Sequence, residues 1–104
     1  MSLRIPCFWV PFFPGVRCSG PWDRCHLGLD AQFLHNQGLP EELVWDPRIW
    51  RAGCRGHHER SHWPTFHMER ADLPTSVEEF AAETGLAWRL DRDFGPLLEL
   101  DARV

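Results

Sequence analysis

With 104 residues, 43% of them hydrophobic and 25% charged, the chain has the make-up of one globular domain with room for a modest core. Its net charge of −4 at neutral pH argues against a general DNA-coating protein, which needs a basic excess. The longest apolar run, residues 7–16, is broken by Pro11 and Pro14 and falls far short of the ~20 residues of a membrane span. It also lacks a signal peptide's small-residue cleavage site, so a cytoplasmic protein with no membrane partner is expected.

In chain order, residues 5–16 (IPCFWVPFFPGV) read as an extended segment, since aromatic and β-branched residues favour strands and the prolines forbid helix. Residues 17–26 place Gly20, Pro21 and Asp23 between Cys18 and Cys25, the composition of a turn. Residues 27–35 alternate so that Leu29, Ala31, Phe33 and His35 share one face of a predicted strand. Pro40, Glu41 and Glu42 open a short helix that Asp46-Pro47 ends. A second strand is predicted over 48–52, a Gly53-Cys54-Arg55-Gly56 knuckle follows, and 57–63 suit a helix stopped near Pro64. Thr75 and Glu78 have capping-box spacing at the start of a helix whose stripe begins Val77, Phe80, Ala81, with Gly85 as its stop. Leu86, Trp88 and Leu90 alternate with polar neighbours, a strand-like pattern.

Four Cys and six His are many for so short a chain, and with nothing pointing to export, metal binding outranks disulfides. Cys18-x6-Cys25 and Cys54-x2-His57 form two ligand pairs, each bracketing a glycine-containing turn, and together offer zinc its four S/N donors. Cys7 reads as a small buried hydrophobe rather than a ligand. His58 and His62 stand i,i+4 on the predicted helix and face the same way, a pair that can hold a second divalent ion such as Mg2+, Mn2+ or Ni2+.

Charge is uneven. Residues 1–66 hold seven Arg against six acids, while residues 67–104 hold four Arg against nine acids. DNA contact is therefore expected in the first two thirds, through Arg48, Arg51, Arg55 and Arg60, and the acidic remainder suits a basic partner.

The order of parts, a Cys pair, a strand, the turn Asp46-Pro47-Arg48, then Cys54-Arg55-Gly56-His57-His58, resembles the zinc-stapled HNH endonucleases, and most of all the small HNH proteins of actinobacterial phages and prophages. The resemblance extends over residues 15–96, including Leu73-Pro74 and Leu90-Asp91-Arg92-Asp93-Phe94-Gly95-Pro96. It implies an α+β treble-clef zinc domain with a ββα-metal core over 17–66, preceded by the extended segment 1–16 and followed over 67–104 by an acidic helix and tail, all in one domain. It also implies that Cys18, Cys25, Cys54 and His57 hold structural zinc, that His58 and His62 hold the catalytic ion, and that the protein works in a bacterial host's cytoplasm on DNA or a host protein.

The motif is degenerate. Where the family has a His-His pair on its first strand, Leu29-Asp30-Ala31 leads here to Gln32-Phe33, and its bracing Asn falls at Ile49. Phe33 cannot take a proton, and an amide oxygen is a poor substitute for imidazole on a transition metal. Two classes of function follow. One is a pseudonuclease that keeps the scaffold to bind DNA or a protein. The other is an active metal-dependent endonuclease in which His35, two residues beyond Phe33, serves as a relocated base.

Overall fold

The computed structural model describes residues 7–97, so residues 1–6 of the expected extended segment and the last seven residues of the tail lie outside them. The elements in chain order are β1 (Trp22–His26), α1 (Ala31–Asn36), α2 (Glu41–Val44), β2 (Trp50–Cys54), α3 (Arg55–Arg60), α4 (Thr75–Thr84) and α5 (Ala87–Phe94), with short 3-10 turns at Val10–Phe12, Pro47–Ile49 and Arg70–Asp72. The protein is thus a small α+β chain with one two-stranded antiparallel sheet among the described residues. None of the described helices is long and apolar enough to cross a membrane.

The described chain divides into two compact units. One comprises 7–26 and 50–67, the other 27–49 and 68–97. In the first, β1 pairs with β2 in the register Trp22↔Cys54, Arg24↔Ala52, His26↔Trp50, and α3 follows β2 without a break. Trp22, Arg24, His26, Trp50 and Ala52 thereby share one sheet face, and Asp23, Cys25, Arg51 and Gly53 the other. Trp9 closes on the second face so tightly that a Cβ at Gly53 would sit 2.7 Å from its indole. Phe12, Phe13 and Phe66 complete an aromatic cluster, with ring centres 5.9 Å apart for Trp9–Phe66 and 4.8 Å for Phe13–Phe66.

The described part of the expected extended segment instead folds into a turn, Phe12 N–H bonding Trp9 O at 2.9 Å. Pro11 has no N–H to give a sheet ladder, but its fixed φ suits the start of a 3-10 turn.

In the second unit, the expected strand over 27–35 is a helix from Ala31. Asp30 caps it, its carboxylate accepting Phe33 N–H at 2.8 Å, and Phe33 and Leu34 are buried as neighbours on one helical face. The alternation of Leu29, Ala31 and Phe33 therefore carries no strand. Residues 87–94 are also helical rather than strand-like. Leu86 and Leu90 are buried, four residues apart, while Trp88 is 48% exposed, and Arg89 pairs with Asp93 at 2.7 Å. α4 buries Val77, Phe80 and Ala81 and ends at Gly85 with φ of 74°, as its pattern predicts. Its expected capping box does not form, because Pro74 occupies the cap and the Glu78 carboxylate binds Arg70.

Candidate metal centre

The ligand atoms of Cys7, Cys18, Cys54 and His57 lie within 4.8 Å of one another. Each arrives by a different local device. Cys54 ends β2 and caps α3, its sulfur accepting the N–H of His57 at 3.4 Å. His57 sits in the first turn of α3, fully buried, so the Cys54-x2-His57 pair is met within one helical turn. Cys18 is brought in by the loop after it, where Ser19 O accepts Gly56 N–H at 2.9 Å and Pro21 O accepts Arg55 N–H at 2.8 Å. Cys7 is laid against β2 by the Phe8 N–H bond to Ala52 O at 2.9 Å, with Cys54 N–H reaching its sulfur at 3.4 Å.

The ring of His57 is committed to one tautomer. Its Nε2–H donates to Val16 O at 2.8 Å, leaving the Nδ1 lone pair facing the three sulfurs at 3.2 Å (Cys54), 3.5 Å (Cys7) and 3.8 Å (Cys18). Metal-bound histidines are held in this way, the remote nitrogen bonded to a carbonyl or carboxylate. A tetrahedral ion with sulfur ligands at ~2.3 Å and nitrogen at ~2.0 Å sets sulfur-to-nitrogen separations of about 3.5 Å, the middle of the observed range. Phe13 stacks on the ring at 5.6 Å with an interplanar angle of 6° and braces it further.

The charges ask for a cation. Loss of water around its sulfur, then the neighbouring Cys54 and Cys7, push the Cys18 thiol up to about 11. Burial also opposes the Cys54 thiolate, but the backbone N–H groups of His57 and Ser19, joined by the Cys18 and Cys7 thiols, outweigh it and hold that thiol below its ordinary value. Three thiols this close cannot all ionise without a positive charge among them, and a divalent ion supplies it. The four residues can hold a metal ion.

Cys25 is not among them. It lies three positions along β1 from Trp22, the residue that pairs with Cys54, or about 10 Å along the strand at ~3.3 Å per residue. It points into the opposite sheet face beside Trp9, fully buried, and that burial pushes its thiol up. The turn expected to join it to Cys18 is shorter than it looks, because residues 22–26 are extended. Cys7, read from the sequence as a hydrophobe, takes its place. The turn-forming prolines that follow Cys7 were the available sign that this segment folds back.

His58 and His62 do lie together, with ring centres 5.1 Å apart. His58 Nδ1 donates to Asp23 Oδ2 at 3.1 Å, and Arg55 holds the same carboxylate with two bonds of 2.8 and 2.9 Å. Among the described residues only the Cys7-Cys18-Cys54-His57 group brings three or more ligands together, so the two histidines gain no third partner for an ion. His35 belongs to the other unit, on α1, where Nε2 meets Glu41 at 2.7 Å; the strand face that would have linked it to Phe33 does not exist.

Of the four Arg expected to meet phosphate, Arg48 is held by Asp46 and Glu83 at 3.1 and 2.8 Å, and Arg55 by Asp23. Arg51 bonds Trp50 O at 2.9 Å, and Arg60 lies 4.9 Å over the Trp63 ring. No family model, curated protein or solved structure matches the chain.

Asp23, read from the sequence only as a turn residue, is the hub of the α3 surface. Arg55 first, then His58, hold its carboxyl well below the usual carboxylate range. A carboxyl depressed by folding adds stability above its unfolded value of ~3.9, and that contribution drains away as pH falls through the folded value. Wild type is therefore expected to exceed Asp23→Asn in denaturant-unfolding stability near neutral pH, with the gap narrowing below about pH 4. A gap unchanged down to about pH 3 would show that the pair contributes nothing through its charge.

Proposed function

We propose that the protein is a zinc-stapled, HNH-like scaffold of treble-clef type that has given up phosphodiester cleavage and acts by binding nucleic acid. The observation that carries this reading is the β1–β2–α3 unit, with three sulfurs and one nitrogen gathered at the strand-to-helix junction and His58 and His62 following in the chain. Zinc suits the donors best, since three thiolates and one imidazole in a closed tetrahedron are the ligands of a structural zinc site. Nucleic acid is preferred to a protein partner on charge. The metal-bearing unit carries five Arg against Asp23 and Glu59, whereas the other carries four Arg against eleven acids, over the described residues.

Loss of cleavage is supported by the residues that would have to perform it. Gln32 and Phe33 sit on helix α1, and Ile49, at the Asn position of the resemblance, is buried and apolar. Without a base, hydrolysis loses a factor of about 10²–10⁴. One observation favours the alternative of a live site: Asp23 fixes His58 through Nδ1 and leaves its Nε2 as the functional nitrogen, the arrangement of an oriented base or metal ligand.

The two readings separate in a supercoiled-plasmid assay with Mg2+, Mn2+ and Ni2+. Folded protein holding one zinc is expected to leave the plasmid intact with every ion. Nicking that disappears in His58→Ala would establish an active nuclease, and its loss in His35→Ala as well would identify the relocated base.

A further inference from the structure

The exposed side chains of the metal-bearing unit are unusual for a duplex-binding surface. Trp22 is 46% and Trp63 51% exposed, although burying an indole is among the larger gains available to so small a fold. Both belong to the positively charged unit. Trp22 begins β1 opposite Cys54, the residue that caps α3, and Trp63 follows three residues beyond the end of α3. The two residues therefore stand at opposite ends of α3, a helix about 9 Å long. Each has cationic company. Arg24 shares the sheet face of Trp22, is exposed, and places its guanidinium 5.6 Å over the Trp50 ring, while Arg60 lies 4.9 Å over Trp63. Arg17 is exposed in the loop before β1. Of the unit's two described acids, Asp23 is already bound by Arg55, leaving Glu59 as the other negative charge. A divalent ion held by three thiolates would remove one charge from this balance and leave it positive.

Indole faces beside guanidinium groups are the chemistry that recognises unpaired bases. Each base offers a π-face to stack, and each phosphate a charge to neutralise. A duplex hides those faces. We infer that this surface, built on Trp22, Arg24, Arg60 and Trp63, binds single-stranded nucleic acid. The inference rests on the nucleic-acid reading above and narrows it to a strand whose bases are unstacked.

The test compares oligothymidylate, oligouridylate and a mixed-sequence duplex, each of about 20 nucleotides, by fluorescence anisotropy and by quenching of indole emission. Single strands are expected to bind, to quench, and to weaken with salt at a log–log slope of about −2, as for roughly three phosphate contacts at ~0.7 each. The duplex is expected to bind at least about tenfold more weakly. Trp22→Ala and Trp63→Ala should each cost about 5- to 100-fold in affinity, with Trp22→Phe and Trp63→Phe recovering most of it, while Trp88→Ala, on the other unit, changes nothing. Zinc content of one per chain checks that each variant is folded. Equal or tighter duplex binding overturns the single-strand inference and leaves the nucleic-acid reading standing. Failure of all three probes overturns both. Preference for the uridylate or the thymidylate distinguishes RNA from DNA as the strand.

Discussion

Cys7→Ala is expected to release the metal and unfold the unit that holds it, whereas Cys25→Ala should keep one metal per chain. The two residues are alike in type and in burial, so the contrast isolates ligation from packing. Removing Cys25 deletes one buried sulfur beside Trp9, at a cost of about 1 kcal/mol, the scale of a small core truncation. Removing Cys7 leaves only Cys18, Cys54 and His57 as donors, with Cys18 exposed at the rim of the site. A structural zinc contributes about 10–16 kcal/mol to small metal-stapled domains, comparable with the ~5–15 kcal/mol that stabilises a whole fold. Among the unit's described residues the other buried groups are few, chiefly Trp9, Cys25 and the ring of His57, and do not compensate. The measurement is zinc released to a chromophoric chelator on thiol modification, read beside a thermal melt. Loss of metal from Cys25→Ala together with its retention in Cys7→Ala would restore the ligand set suggested by spacing and overturn the one built from geometry.

What the sequence made legible was local, and what it hid was set by contacts between distant segments. Cys54 and His57 were readable as a pair because a residue at a helix cap and the third residue after it meet through the helix itself. The third and fourth ligands depend on which segment is laid beside β2, and that choice is made by a backbone bond from Phe8 and a loop pinned to Gly56, neither of which leaves a spacing signature. Cys25 looked attractive because six intervening residues suggest a turn. Extended residues rise ~3.3 Å each, however, so placing 22–26 in a strand carries Cys25 away from Cys18. The two predicted strands that proved helical failed for a shared reason. Apolar residues at every second position also suit a helix when the pair that needs burial is four apart, as Leu86 and Leu90 are, or when burial falls on a residue outside the alternation, as it does on Leu34 beside Phe33. The arbiters were a cap at Asp30 and an i,i+4 ion pair at Arg89 and Asp93. Asp23 was invisible as a functional residue because its partners, Arg55 and His58, lie more than 30 positions away.

Arg70→Met is expected to destabilise the acidic unit by about 3 kcal/mol, more than any surface change elsewhere in that unit. Arg70 is 9% exposed and engages all three guanidinium nitrogens within that unit: two bonds to Glu78 at 2.7 and 2.8 Å, one to Asp91 at 2.8 Å, and one to Gly95 O at 2.7 Å. The fork spans the turn before α4, the first part of α4 and the last part of α5, so one residue ties three segments. The partners deepen the commitment, Glu78 first, holding the guanidinium above its ordinary value and protonated at every accessible pH. Met keeps much of the volume and removes the charge, leaving two carboxylates and a carbonyl without their donor. Glu78 is only 21% exposed and bears most of that desolvation, while Asp91, at 55%, recovers water, which places the loss at the lower end of the ~3–5 kcal/mol typical of a broken buried pair. Glu78→Gln keeps the packing and one acceptor and should cost about 1 kcal/mol. Because the acidic unit holds eleven carboxylates against four Arg over its described residues, losing a cation also raises its self-repulsion, so the Arg70→Met deficit should shrink in high salt. Urea melts of the full chain at low and high salt, with zinc content monitored, read both effects. A deficit below about 1 kcal/mol would mean that the network is solvated in solution and that α4 and α5 are held by their apolar faces alone.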